Sequence, residues 1–179
     1  YLNVVPITEN GIENNPDIDK IIDYAVKMRQ LPQEVLMDNL LKEDTITLEV
    51  LEKIAEIMFK FHESSEKSND SLLENMRINW SENFEQTKEF LDKNNLELIQ
   101  NKINVFFEEN ETLFDEKMIR CHGDLHTGNI FIVDEKPHIF DAIEFNDRIA
   151  FGQIEYDIAF LLMDLEYNDR KNLADAFLS

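Results

Sequence analysis

The run His122-Gly123-Asp124-Leu125-His126-Thr127-Gly128-Asn129 places two histidines, a carboxylate and an amide within eight residues, and Asp141 follows at the end of a short apolar stretch. These types and spacings suit phosphoryl transfer: Asp124 to receive a hydroxyl proton, and Asn129 with Asp141 to hold magnesium on a nucleotide. Magnesium prefers hard oxygen ligands and takes few of them from protein, leaving the rest to phosphates and water, so an amide oxygen and a carboxylate fit it. Asp124 precedes Asn129 by five residues in a glycine-punctuated loop, a spacing that lets the chain turn back and present the carboxylate to a hydroxyl. Its task would be orientation and late proton acceptance, because the transition state needs positioning and charge neutralisation more than a strong base.

A hairpin must bring Asn129 and Asp141 together. Residues 130–133, IFIV, read as a buried strand, Asp134-Glu135-Lys136-Pro137 as a four-residue turn, and His138-Ile139-Phe140-Asp141 as the returning strand. Val133 then pairs with His138 and Ile130 faces Asp141, with Asn129 adjoining; side chains across such a ladder lie about 5 Å apart, within reach of one cation. A last helix, expected from Phe151, carries Ile154, Ile158, Leu161, Leu162 and Leu165 on its inner face. Asp157 shares that face, where a carboxylate is costly unless it is hydrogen-bonded.

Upstream, Tyr1–Thr8 and the alternating segment IIDYAVKMRQL read as two antiparallel strands, with Glu9-Asn10-Gly11 as turn chemistry. Pro32 suits a first helical turn. From there to residue 117 the pattern is helical: Thr47 as a cap before a stripe of Leu48, Leu51, Ala55, Met58 and His62; a second stripe of Leu73, Met76, Trp80, Phe84, Thr87 and Leu91; a third of Leu96, Ile99, Ile103, Phe106 and Phe107. The simplest use of these stripes is helix-on-helix packing.

The 179 residues are enough for one core and are 43% apolar, and no apolar run approaches the ~20 residues of a membrane span. No basic-then-apolar leader opens the chain, and the lone Cys121 beside Met118 and Ile119 reads as a buried thiol in a reducing compartment. The expectation is a cytoplasmic protein with no membrane partner. The formal charge of −21, from 38 acids and 17 bases, repels phosphate backbones and excludes a nucleic-acid partner. Most of that charge reads as solvated surface; the sharper reading is a cationic substrate drawn to an acidic cleft. Tyr1 opens without Met and Ser179 stops within the helical pattern KNLADAFLS, so the sequence reads as a fragment.

HGDLHTGN resembles the catalytic loop of the aminoglycoside phosphotransferase-like kinases, relatives of the protein kinases, whose loop reads H-R-D-x-x-x-x-N. The longer stretch RCHGDLHTGNIFIVDEKPHIFDAIEFND, closing with YDIAFLLMDLE, is similar to a bacterial subgroup in which such a domain is often joined to a P-loop ATP-binding domain, and YLNVVPIT and AVKMRQLPQ resemble it too. The resemblance implies an α+β, protein-kinase-like fold, mostly the helical C-lobe with a short β-hairpin bearing the metal site. Residues 1–31 would be the last strands of the N-lobe and the hinge, and 32–179 the C-lobe. It implies ATP and Mg2+ as cofactors, a small-molecule hydroxyl as substrate, Asp124 as catalytic base, Asn129 and Asp141 as metal ligands, and His122 and Asp157 as structural support of the loop. Where the family usually follows its metal Asp with Phe-Gly or a similar pair, this chain has Ala142-Ile143. No Gly-rich phosphate loop occurs, so the residues that bind the nucleotide remain unassigned, and the 179 residues alone are expected to bind nucleotide weakly and to transfer phosphate poorly.

Two rivals stand beside the kinase. A catalytically inactive kinase-like module could keep the loop and act by touching a partner domain. A metal-dependent hydrolase could use His122 and His126, spaced as in H-E-x-x-H zinc sites, although Gly123 stands where that motif has Glu and both glycines favour a loop. Glu144 and Asp147 are read as solvated loop acids with a second cation or a substrate as the alternative, and His62 and His138 as a helix-end and a strand residue.

Overall fold

The computed structural model describes residues 2–115 and 117–178. Tyr1, which opens the expected first strand, and Ser179, which closes the last helical pattern, lie outside the described residues, as does Glu116. The chain divides into two compact units, Tyr1–Glu34 and Val35–Ser179.

The first unit is a three-stranded antiparallel sheet of β1 (Asn3–Thr8), β2 (Gly11–Ile12) and β3 (Asp23–Lys27), in the order β2-β1-β3. The expected pairing of two strands is present, Val4 opposite Val26 and Pro6 opposite Tyr24, but β3 is shorter than the apolar alternation suggested. Because residues two apart share a face, Val4, Tyr24 and Val26 lie together, and that face is exposed.

The second unit is α+β. It runs through α1 (Met37–Lys42), α2 (Leu48–Ser64), α3 (Leu72–Thr87) and α4 (Lys93–Glu109) to β4 (Ile119–Arg120), β5 (Ile130–Val133) and β6 (Lys136–Ile139), then α5 (Asp147–Ala150), β7 (Phe151–Gly152), α6 (Ile154–Tyr167) and α7 (Lys171–Phe177). Its core joins Met37 and Leu41 of α1, Leu51, Ile54 and Met58 of α2, Ile130 and Ile132 of β5, and Leu161 and Leu165 of α6, with Leu125 of the loop buried among them. Among the described residues no helix is long and apolar enough to cross a membrane.

Three expectations shift. The α2 face is rotated, with Leu48 exposed and Ile54 buried, and Thr47 sits at the N-cap without a side-chain cap bond. Ser71 and Asp92, in contrast, cap α3 and α4 by accepting from the Glu74 and Asn95 N–H groups. The second stripe does not form a buried seam: α3 buries Leu72 and Asn75, and Leu91 lies beyond its end. The helix expected from Phe151 begins at Ile154, because Phe151 and Gly152 are taken up in pairing with Arg120 and Ile119, and it is followed by one more, α7.

The β5–β6 hairpin forms in a different register. Its loop is the pair Asp134-Glu135, both with positive φ (50° and 59°), the turn geometry whose twist matches that of two-residue hairpins. Val133 therefore pairs with Lys136 and Ile130 with Ile139, not with Asp141. Pro137, read as part of the turn, is buried within β6 opposite Ile132, a place open to proline because β6 is an edge strand. The shift is by two residues, so each side chain keeps its face while Asp141 falls two residues beyond the last pair of the ladder.

Candidate active site

The loop from His122 to Asn129 joins β4 to β5, and α6 lies beneath it. Asp157, in the first turns of α6 and fully buried, accepts the His122 N–H (2.8 Å) and the His62 Nε2–H (2.8 Å) on Oδ2 and the Gly123 N–H (2.9 Å) on Oδ1. Three donors thus meet the cost of a carboxylate without water. Gly123 has φ +81°, and a Cβ there would meet Ile143 Cγ1 at 3.0 Å, so only glycine lets the loop bend at this point. Seven residues further along the same helix face, Asp164 Oδ2 accepts the Thr127 N–H (2.7 Å) and hydroxyl (2.5 Å). Two acids of α6 therefore peg the loop, one before Asp124 and one after it.

His122 links the loop to the returning strand. Its Nε2–H points to the Phe140 carbonyl (3.0 Å) and its Nδ1 accepts the Asp124 N–H (3.3 Å), while its own carbonyl accepts the Ile143 N–H (2.8 Å). Phe140 N–H also donates to the Asn129 carbonyl (3.2 Å). Asp141 is bracketed by these bonds on either side; its backbone is left-handed (φ 67°) and it is exposed.

Asp124 and Asn129 are brought together directly. The buried Asn129 donates its amide N–H to the Asp124 carbonyl (3.0 Å) and to Asp124 Oδ2 (3.2 Å). Both bonds come from Nδ2, so the Asn129 amide oxygen does not serve Asp124, and Asp141 is an exposed carboxylate just past the end of β6. The donor chemistry fits magnesium.

The residues that sequence reasoning missed are His62, Asp164 and Asn75. His62 was read as a helix-end residue and is a buried partner of Asp157; the signal was its place on the buried stripe of α2. Asp164 is marked by the seven-residue spacing from Asp157. Asn75 donates from buried Nδ2 to the Arg148 carbonyl (2.7 Å), docking α3 on the segment after Asp141. The hydrolase pair is not assembled: His122 and His126 sit in a loop, and both His122 nitrogens are committed to backbone groups. Asp147 pairs with Arg120 at 2.9 Å, Glu144 is exposed, and His138 lies in β6.

Among the described residues, His62, Cys121 and Asp157 lie close enough for one metal ion. Their bonding argues for a brace: both Asp157 oxygens are occupied, and burial, with the nearby Asp157 charge, pushes the Cys121 thiol up to about 12. That thiol donates to the Gln153 carbonyl at 3.3 Å.

The loop is thus pegged by two helix acids and holds a carboxylate and an amide side by side. Residues 9–179 match the model of the phosphotransferase enzyme family, and the chain belongs to it. Among curated proteins it is similar to uncharacterized proteins from Mycobacterium bovis and Mycobacterium tuberculosis, 31% identical over 142 residues covering 72% of this chain. The chain spans 28% of the length of these relatives. No solved structure matches it at a significant level.

Proposed function

We propose that this chain carries the catalytic loop of an ATP- and Mg2+-dependent phosphotransferase acting on a hydroxyl of a small molecule, with Asp124 as base and Asn129 and Asp141 as metal ligands. The observation that carries the reading is the Asn129 amide, whose Nδ2 donates to both the carbonyl and the carboxylate of Asp124; on this reading its oxygen meets the cation. Bound magnesium would neutralise charge on the nucleotide phosphates. The protein's part is to fix Asp124 against the acceptor hydroxyl, with His122 and Asp157 holding the backbone before it and Asp164 the backbone after it.

The activity is assigned to the full-length protein. The exposed apolar face of the first unit, with Val4, Tyr24 and Val26, supports reading residues 1–31 as strands of a nucleotide lobe. The length of the mycobacterial relatives leaves room for a fused P-loop domain. Titration calorimetry with ATP and magnesium tests the reading: metal-dependent nucleotide binding that disappears in Asp141→Ala supports it, and nucleotide binding indifferent to both metal and Asp141 overturns it in favour of a non-catalytic module. A screen of hydroxylated metabolites, read by ADP release, then identifies the acceptor.

A further inference from the structure

The loop contains a second histidine that the phosphotransferase reading leaves without a task. His126 Nδ1 accepts the Gly128 N–H at 3.1 Å, and Nε2 lies 3.5 Å from Asp124 Oδ2. An imidazole nitrogen that accepts carries no hydrogen, so in the neutral ring the hydrogen is on Nε2, the side facing Asp124. The backbone builds this seat. A Cβ at position 128 would fall 2.7 Å from His126 Cε1 and 2.9 Å from Nδ1, so glycine is what lets the ring lie there; close approach, and not an unusual φ, makes the demand.

Asp124 Oδ2 also receives the Asn129 amide at 3.2 Å. Two donors from opposite ends of the turn flank one oxygen, while among the described residues no hydrogen bond reaches Oδ1. We propose that His126 is a positioning residue for Asp124: with Asn129 it fixes the carboxylate through Oδ2 so that Oδ1 meets the acceptor, and Gly128 exists to seat its ring. As the acceptor oxygen bonds to phosphorus and the bond to the departing ADP breaks, the hydroxyl proton passes to Oδ1, and His126 keeps its own proton throughout. At 3.5 Å the contact is longer than a formed hydrogen bond; catalytic hydrogen bonds are commonly long before substrate binds and tighten afterwards. The consequence for catalysis rests on the phosphotransferase reading, whereas the seat itself does not.

Two measurements separate them. Nitrogen-15 spectra of the imidazoles in the chain should show His126 with hydrogen fixed on Nε2; Asp124→Ala should move the Nε2 signal and Gly128→Ala the Nδ1 signal. A ring averaging between tautomers, or blind to both variants, overturns the seat whatever the turnover. In the full-length protein, ADP release from Mg·ATP with water as acceptor should fall about tenfold in His126→Phe at unchanged Mg·ATP affinity, the loss of one hydrogen bond to a carboxylate. His126→Gln, which keeps an N–H at similar reach, should recover most of the rate. Gly128→Ala should slow the enzyme alone but add less than about twofold in the His126→Phe background. Full activity of His126→Phe, failure of Gln to rescue, or additive losses would overturn the positioning role. Asp124→Asn at wild-type rate would instead sink the phosphotransferase reading and leave the spectroscopic result standing.

Discussion

The His122–Asn129 loop on α6 and the α3–α4 pair are built on opposite terms. Loop residues His122, Thr127 and Asn129 are buried polar groups with partners, and Asp157 beneath them is fully enclosed. In α3 and α4 the buried residues are Leu72, Asn75 and Phe107, while Phe90 between the helices is 85% exposed and Leu98 53%. The pair is tied to the site by polar contacts, Asn75 to the Arg148 carbonyl and Glu82 to the Arg148 guanidinium (2.9 Å). A region where each buried polar group needs its partner tolerates little change; a region held by a few contacts can vary without loss of the fold. Under the proposed phosphotransferase function, the first would suit chemistry, which demands fixed geometry, and the second acceptor choice, which is set by local side chains.

This contrast can be broken most severely at Asp157. Asp157→Ala leaves His62 and two loop N–H groups buried without an acceptor and should cost about 3–5 kcal/mol in urea unfolding, with transfer lost in parallel; an unchanged melting temperature would contradict the brace. Thr127→Val removes only the hydroxyl bond to Asp164 and should cost about 1.5–3 kcal/mol, measured the same way.

Alkaline pH probes the buried side more gently. The native state keeps the Cys121 proton until about pH 12, while an unfolded chain releases it near 9.0, so this contribution is whole below pH 9 and is lost as pH rises from there. Burial raises Tyr156 in the same sense. Unfolding midpoints at pH 8 and 10.5 should show the drop, and Cys121→Ala should remove part of it. On the other side of the comparison, Phe90→Ser should change stability by less than about 0.5 kcal/mol. A larger loss would mean that the α3–α4 end is packed as the loop is.

Much of the site was legible because its signals are local. Asp124 and Asn129 lie five residues apart in one loop, and the inward placement of Asp157 follows from helical period alone. The hairpin register was misread because Pro137 is a turn signal on paper, whereas the two-residue loop depends on Asp134 and Glu135 adopting positive φ, which their types permit but do not announce. His62 was missed because its partner lies 95 residues away, a distance over which no spacing rule reaches. The α3 stripe misled for the opposite reason: apolar period shows which side of a helix could be buried, not whether anything covers it.

The central claim, that Asp124 is the base of a phosphoryl-transfer site held ready by Asn129, is met most directly by ADP release from Mg·ATP in the full-length protein with Asp124→Asn. The expected result is a rate at least about a hundredfold lower, with the melting temperature and Mg·ATP affinity of the unaltered protein. Undiminished release would contradict it.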